Sequence, residues 1–159
     1  TNTLSLSNYK LFTEDVVAAS KFFFTAINGL EDQDVRLNER RFLNSRRLRG
    51  FEKGKVGPVD GSDHIGGNYA ASVNFEASLP NLLPDSTKAE ITTFLDIGNV
   101  WGVDYSDTVD ESNSIRSSTG LTVNWFTPIG PMNFAFIQNI SKASTDKTES
   151  FQFNIGTSF

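Results

Sequence analysis

The feature that most constrains this chain is a repeated alternation of apolar and polar residues, in segments about as long as one membrane-crossing β-strand. In the clearest segment, 151–159, the odd positions form an apolar face, whereas the even positions are Gln, Asn, Gly and Ser. Alternate side chains of a strand point to opposite faces of its sheet, and a tilted strand of about 9–11 residues crosses a bilayer. We therefore expect 151–159 to be a strand whose two faces meet different solvents.

Six further segments are rich in β-branched and aromatic residues, and each predicts a strand. They lie at about 3–12, 15–27, 67–79, 88–99, 121–125 and 131–140. The links between them alternate in length: 13–15, 80–87 and 127–131 are short, whereas 28–66, 101–115 and 141–148 are longer and polar.

This order of links predicts a membrane topology. Outer-membrane barrels have short periplasmic turns and longer extracellular loops. We therefore predict an all-β fold, an antiparallel transmembrane β-barrel with its C-terminus on the periplasmic side. A soluble up-and-down barrel is the alternative, because short and long hairpins also alternate in some soluble proteins.

The composition of the 159 residues agrees with strands and argues against several functions. Phe occurs 14 times and Met once, so the apolar mass is aromatic rather than that of an ordinary helical core. The absence of cysteine excludes disulfides, thiolate metal sites and cysteine nucleophiles. No apolar run reaches the roughly 18 residues of a transmembrane helix, and the net charge of -5 gives no reason to expect nucleic acid.

Catalysis and metal binding have little support in the sequence. His64 is the only histidine, and its neighbours contain no nucleophile elbow and no metal-ligand spacing. The acids Asp104, Asp107, Asp110 and Glu111 lack the glycine of an EF-hand loop, and they are better explained as keeping a loop hydrated. We therefore expect no enzyme, no cofactor and no metal. A hydrolase that draws Ser, His and Asp from distant loops is the one enzymatic alternative.

Six of the seven arginines lie within 36–49. A patch for nucleic acid or anionic lipid, a solvated loop, and a loop that folds back into a barrel are three explanations. The third needs carboxylates, because an unpaired charge removed from water is costly. Glu76 and Asp96 lie within predicted strands, where a charge avoids lipid and points into the lumen. Arginine pairing with these two acids and simple hydration in a wet lumen both stay open.

Several local motifs resemble, in order, the barrel of the BamA-type outer-membrane protein assembly factors, which belong to the bacterial surface-antigen superfamily. Leu48-Arg49-Gly50-Phe51 is similar to the (Val/Ile)-Arg-Gly-Phe motif at the tip of the family's long sixth extracellular loop. The other matching motifs are Gly66-Gly67-Asn68, Phe75-Glu76 before Pro80, Phe94-Leu95-Asp96-Ile97-Gly98-Asn99-Val100-Trp101, Pro128-Ile129-Gly130-Pro131 and the segment 151–159. These five motifs, following the loop motif in this order, are hard to obtain by chance.

The resemblance implies a structure for the loop and for the barrel. The family's loop arginine contacts acidic residues on the inner barrel wall, and the matching positions are Arg49, Glu76 and Asp96. The family's barrel has sixteen strands, so the seven strands here would be its tenth to sixteenth, and 28–66 would be its long inward-folding loop. The chain starts at Thr1 without a leader segment, so we expect the first strands and the family's periplasmic domains to lie outside 1–159.

The resemblance also implies a function, the folding and insertion of β-barrel proteins into the outer membrane of a Gram-negative-type bacterium without a cofactor. In the family a lateral seam opens beside the last strand, which is only weakly tied to the first. The residues that match this closing strand and its aromatic C-terminal signal are Phe151, Phe153, Ile155, Gly156 and Phe159. Gly156 would permit a bend, and a steric need inside the barrel is the competing explanation.

The partners implied are membrane lipid, unfolded outer-membrane proteins as substrates and accessory assembly lipoproteins, with no nucleic acid. Two other functions stay open. A two-partner-type pore that secretes one dedicated protein shares the loop motif and the terminal strand. A passive diffusion channel is the second alternative, but this function would not explain the presence of the loop motif. The terminal Phe-Gln-Phe-Asn-Ile-Gly stretch looks closest to the assembly factors and favours assembly.

Overall fold

The computed structural model describes residues 1–30, 33–104, 109 and 114–156, which contain seven long strands and one short hairpin. The long strands are β1 (Asn2–Leu11), β2 (Val17–Ala26), β5 (Tyr69–Leu79), β6 (Ala89–Trp101), β7 (Arg116–Thr127), β8 (Gly130–Ser141) and β9 (Phe151–Ile155). The hairpin is formed by β3 (Val59–Asp60) and β4 (Asp63–His64). Single 3-10 turns cover Leu37–Glu39 and Asp85–Thr87. None of the described residues belongs to a helix long and apolar enough to span a bilayer.

The long strands form one sheet in the order β1-β2-β5-β6-β7-β8-β9, and every neighbouring pair is antiparallel. The prediction of seven antiparallel strands is confirmed. Of the predicted strand 151–159, the described residues form β9 as far as Ile155, and Gly156 then turns the chain with a φ of 110°. Residues 157–159, and with them Phe159, lie outside the described part of the chain.

The register gives the sheet a polar face and an apolar face. Asn74 pairs with Asp96, and Asp96 pairs with Ser118, so these three side chains share the polar face. The same face carries the polar residues in register with them, Lys21, Glu76, Asn124 and Gln152. The apolar face carries large side chains that are 37–56% exposed: Phe22, Phe75, Leu121, Phe136, Phe151 and Phe153.

The polarity of this sheet is the reverse of that in a soluble protein. The apolar face is exposed, whereas Asp96 on the polar face is 0% exposed. Aromatic contacts continue the apolar face across the last two strands, where the ring centroids of Phe134 and Phe153 are 5.0 Å apart. Soluble monomers rarely expose so extensive an apolar surface. The face therefore fits acyl chains, which argues against the soluble-barrel alternative.

Loop 28–66 covers the polar face near the end of the sheet that carries the long links. Its contact with the sheet is an apolar cluster of loop and strand residues: Leu43, Leu48, Phe51, Val56, Ala70 and Val100. Gly98 in β6 makes room for it, because a Cβ at this position would lie 2.9 Å from Leu43 Cδ1. The loop is therefore held on the sheet by side-chain packing as well as by polar contacts.

Candidate functional site

The loop arginine lies where two strands present carboxylates. Arg49 Nε and Nη2 donate to Asp96 Oδ2 and Oδ1, each over 2.7 Å, and the Arg49 backbone N donates to the same Oδ2 over 3.0 Å. Arg49 Nη2 also lies 3.0 Å from Glu76 Oε1. The guanidinium stands 3.7 Å from the centroid of the Phe94 ring. A planar guanidinium makes all of these contacts at once, which an ammonium cannot do.

Both carboxylates have further partners on the polar face. Glu76 Oε2 accepts a 2.7 Å hydrogen bond from Lys21 Nζ of β2. Asp96 Oδ1 accepts a 2.8 Å hydrogen bond from Asn74 Nδ2 of β5. Two cations therefore balance two carboxylates across β2, β5, β6 and the loop. We call Lys21, Arg49, Glu76 and Asp96 the loop lock.

The tip of the loop is turned at Gly50, which has a φ of 84°. A Cβ on Gly50 would lie 2.5 Å from Ile137 Cγ2, so both the backbone conformation and the space require glycine. The Gly50 carbonyl accepts hydrogen bonds from Asn139 Nδ2 and from the backbone N of Glu149, each over 2.9 Å. The tip is thereby fixed to β8 and to the link that follows it.

The residues beside Gly50 anchor the loop by burial and by one more backbone contact. Leu48 and Phe51 are each 2% exposed, and burying a side chain of this size contributes about 1.5–3 kcal/mol. Ser118 Oγ of β7 donates to the carbonyl of Arg49 over 2.6 Å. Arg47 places its guanidinium 3.4 Å from the centroid of an aromatic ring of β2. All four residues of the motif thus have partners on the sheet or its links.

The link between β8 and β9, residues 142–150, packs against the same loop. Phe51 and Thr148 form an isolated antiparallel β-bridge. The backbone N of Glu52 donates to the carbonyl of Lys147 over 2.9 Å. The motif loop is therefore paired, like a short strand, with the segment that leads directly into β9.

A second buried ion pair fixes this link. Arg116 Nε and Nη2 donate to Asp146 Oδ2 and Oδ1 over 2.8 and 2.9 Å, and both side chains are 0% exposed. Arg116 Nη1 also donates to Asn99 Oδ1 over 2.7 Å. Asp146 Oδ2 accepts a 2.7 Å hydrogen bond from the backbone N of Ala143. The two charges are thus paired and hydrogen-bonded, as buried charges must be.

His64 joins the β3–β4 hairpin to the same link. Its Nε2 lies 3.1 Å from the Thr145 carbonyl, an atom that only accepts, so Nε2 carries the proton. Its Nδ1 is buried and has no hydrogen-bond partner among the described residues. Burial lowers the pKa of His64 below its ordinary value, which favours the neutral ring.

β9 lies at one edge of the sheet and pairs with β8 over five residues. Gly156 ends it, and the backbone N of Gly156 donates to the carbonyl of Pro131 over 2.9 Å. A Cβ on Gly156 would meet no atom of the described residues within 4 Å. Among the described residues, the positive φ of Gly156 rather than lack of space is therefore what favours glycine here.

In the acidic link after β6, the structure differs from what the sequence predicts, because Asp104 makes specific hydrogen bonds. Asp104 accepts a 2.6 Å hydrogen bond from the backbone N of Val35 and one from the Asn68 side chain, so it ties down the start of loop 28–66 instead of only hydrating a link. Asp107, Asp110 and Glu111 lie outside the described residues. The part of the chain that the structure describes holds no group of three His, Asp or Glu side chains suited to a metal ion.

Comparison with known proteins identifies the family to which this chain belongs. The Omp85 superfamily domain matches residues 2–159. The chain belongs to the Omp85 superfamily. The sheet is therefore the C-terminal part of an Omp85-type transmembrane β-barrel, and the BamA-type resemblance is confirmed.

The curated relatives of this Omp85 chain are longer proteins. The outer membrane protein assembly factor BamA of Neisseria meningitidis is 30% identical over 141 residues, which cover 70% of this chain and 17% of that protein. BamA of Neorickettsia risticii is 30% identical over 136 residues, which cover 84% of this chain and 18% of that protein. A SAM50-like protein of Schizosaccharomyces pombe is 31% identical over 141 residues, 84% of this chain and 30% of that protein. The chain thus spans 17–30% of the length of these relatives.

A solved structure has the same fold. The crystal structure of BamA from Haemophilus ducreyi lacking POTRA domains 1–3 matches with a TM-score of 0.83 and 23% sequence identity. The match covers 95% of this chain and 33% of that one. At this identity the likeness establishes the arrangement of strands alone.

The structure of this Omp85 chain brings together Arg49, Glu76 and Asp96, and it leaves the predicted seam residues of β9 apart from them at the edge of the sheet. Sequence reasoning missed the residues that complete the two ion-pair sites: Lys21, Asn74, Arg116 and Asp146. Lys21 is the only charge within β2, so the rule that places strand charges in the lumen would have found it.

Proposed function

We propose that this Omp85 chain is part of a barrel that folds and inserts other β-barrel proteins into the outer membrane of a Gram-negative-type bacterium, through a lateral seam beside β9. The names of the Neisseria and Neorickettsia relatives, outer membrane protein assembly factor, support the assembly function. Because the chain spans 17–18% of those two proteins, the activity belongs to the whole protein that contains these residues.

The observation that carries the seam is the short pairing of β9. Among the described residues it is joined to β8 over five residues, whereas the other neighbouring long strands are joined over nine to eleven. No strand among the described residues pairs with the outer edge of β9. Its unpaired N–H and C=O groups suit β-augmentation by an incoming strand, and Gly156 limits how far that edge extends.

The loop lock has a separate role in this proposal. It ties loop 28–66 to β2, β5 and β6, which are separated from β9 by β7 and β8. The loop then stays fixed inside the barrel while the edge of β9 opens. Phe151, Phe153 and Ile155 lie on the apolar face. Phe151 and Phe153, with Phe159, supply the aromatic signal of the closing strand.

The orientation follows from the short links. The end of β9 meets the β7–β8 turn, since the backbone N of Gly156 bonds to Pro131, and short turns of outer-membrane barrels are periplasmic. We therefore infer a periplasmic C-terminus. The seven strands would be the tenth to sixteenth of a sixteen-stranded barrel that is completed, with periplasmic domains, by the rest of the protein. The partners would be membrane lipid, unfolded outer-membrane proteins and accessory assembly lipoproteins.

Depletion of the full-length parent protein in its own cells tests this function. Several unrelated outer-membrane barrels and several soluble periplasmic proteins would be quantified as the parent protein falls. We expect all of the barrels to fall together, whereas the periplasmic proteins persist. Intact barrels together with the loss of one secreted protein would favour the two-partner-type pore, and intact barrels with the loss of a solute flux would favour the diffusion channel.

A further inference from the structure

The ion pair between Arg116 and Asp146 has no part in the function proposed above. It joins the first residue of β7 to the β8–β9 link through two parallel hydrogen bonds, and both side chains are fully buried. Arg116 also bonds to Asn99 of β6, so two strands hold the link. Desolvating two charges offsets most of the attraction between them, so net stability is a weak reason for such a pair, whereas fixing one geometry is a better one.

The pair fixes the segment that faces the motif loop. Asp146 caps the backbone N of Ala143 and so closes a tight turn in the link. Shortly after this turn, the backbone N of Glu149 donates to the carbonyl of Gly50 at the loop tip, and β9 begins at Phe151. One continuous stretch of chain therefore runs from the ion pair, past the loop tip, into the seam strand.

We propose that Arg116 and Asp146 are positioning residues that set the start of β9 against the tip of loop 28–66 and thereby couple the loop lock to the seam. The proposal rests on the assembly function proposed above. With the pair intact, Glu149 keeps its backbone bond to Gly50, and β9 enters the sheet in one register. Without the pair, the link separates from the loop, and β9 loses the fixed point from which its pairing with β8 starts.

Hydrogen exchange of the full-length protein in lipid nanodiscs, followed by mass spectrometry, tests the coupling. Arg116→Lys keeps the charge but loses the two-pronged contact with Asp146. We expect exchange in the peptides 48–55 and 142–150 to become about tenfold faster, equivalent to about 1.4 kcal/mol, while the peptide 69–79 is unchanged.

Lys142→Gln is the matched control for this experiment. It removes one positive charge from the same link, at an exposed side chain that makes no ion pair or hydrogen bond among the described residues. We expect this variant to exchange like the wild type in all three peptides. Faster exchange in 48–55 for this control as well would overturn the assignment to the ion pair.

Asp146→Asn gives a second variant, because it keeps the shape of the side chain and removes its charge. In cells that carry either variant as the only copy, we expect less client barrel protein while the variant's own barrel still migrates as a folded, heat-modifiable band. Wild-type exchange in 48–55 for both variants, or loss of the variants' own folding, would each overturn the positioning role. Unchanged client barrels in the variants would also overturn it where depletion of the parent does lower those barrels. If exchange speeds up but depletion of the parent leaves other barrels intact, the coupling holds and the assembly function fails.

Discussion

At the scale of single residues, Arg49 occupies a place that suits arginine and not lysine. Two parallel N–H groups reach the carboxylate of Asp96, one of them also approaches Glu76, and the flat guanidinium covers the ring of Phe94. An ammonium is a compact charge without this planar fork. Because Asp96 is 0% exposed, these donors replace the water that a carboxylate would otherwise bind.

We expect Arg49→Ala to destabilise the docked loop by about 3–5 kcal/mol, because it leaves a buried carboxylate without its cation. Arg49→Lys should have a smaller effect of the same sign, since one contact remains where two parallel hydrogen bonds were made. Limited proteolysis of loop 28–66 in the full-length barrel in detergent measures the difference. The rate of cleavage should rank alanine above lysine above wild type.

Arg36→Ala is the control for this series. Arg36 lies in the same arginine cluster and is exposed, and its side chain makes no ion pair or hydrogen bond among the described residues. Its removal should leave the cleavage rate unchanged. Full protection of the loop in both Arg49 variants would contradict the loop lock.

The second residue-scale prediction concerns pH. Burial lowers the pKa of His64, while the charges of Lys55, Lys147 and Asp146 act on it more weakly and in opposing senses. The folded protein therefore binds this proton less tightly than the unfolded chain, whose pKa is about 6.5. The contribution of His64 to stability is complete above this value and is lost as the pH falls through it toward the lower folded pKa.

We expect the Tm of the full-length protein to fall on acidification from about pH 7.5 to about pH 5.5 by more than that of His64→Gln. Glutamine keeps a donor for the Thr145 carbonyl but does not titrate. Equal pH dependence of Tm in the two proteins would show that protonation of His64 does not cause the loss of stability.

The sequence predicts which face of the sheet a side chain occupies when the residue lies well inside an alternating strand. Asp96 lies within an alternating segment, so its face followed from the apolar neighbours Leu95 and Ile97. Asp146 could not be predicted in the same way. It lies in a link without periodicity, and Arg116 begins a strand, where the alternation has barely started, so only the tertiary fold brings the two together.

At the scale of elements, the long strands could be predicted because their two faces meet different solvents over ten or more residues in six of the seven cases. The β3–β4 hairpin was missed, although Gly61-Ser62 is a two-residue turn signal of the kind found in hairpins. Each of its strands has two residues, too few for an alternation to be read. The end of the described part of β9 at Ile155 could not be predicted, because the alternation continues in the sequence past Gly156.

The element-scale prediction concerns the length of β9. We expect Gly156→Ala to favour a negative φ at this position, since a positive φ costs a residue with a side chain about 1–3 kcal/mol. An extended residue 156 would lengthen the strand beyond Ile155 and favour a closed seam. The levels of several client barrels in cells that carry the variant as the only copy should therefore fall.

Gly130→Ala provides a closely matched control. Gly130 has a φ of 124°, a Cβ there would also meet no described atom within 4 Å, and it lies beside Pro131 at the same end of the sheet. The backbone strain is thus comparable, but Gly130 begins β8 after the β7–β8 turn and is not in the seam strand. A similar loss of client barrels in both variants would assign the effect to strain and not to the seam.

At the scale of the whole molecule, the sheet combines an exposed apolar face with a polar face covered by loop 28–66. It also has two open edges, because neither β1 nor β9 has an outer neighbour among the described residues, and all ten residues of β1 are exposed. A strand edge that is unpaired in a micelle or bilayer leaves its N–H and C=O groups without partners, and each of them is costly there. The described residues therefore supply no partner for the outer edges of β1 and β9.

We expect residues 1–159, refolded alone in detergent micelles, to form dimers and larger assemblies through β1 and β9, because intermolecular pairing satisfies the edges. Light scattering after size-exclusion chromatography would give the protein mass in the micelle, with the full-length barrel as a monomeric control. The backbone N of Gly156 bonds to Pro131 and that of Phe12 bonds to Val16, so the even residues of β9 and β1 bond inward and the odd residues face the open edges. Phe153→Pro, or Ser7→Pro in the other edge strand, therefore removes an outward-facing backbone donor, and we expect either substitution to reduce the assemblies. A stable monomer whose β1 and β9 amides resist exchange would show that the edges are satisfied within the chain, and this account of the whole molecule would then be wrong.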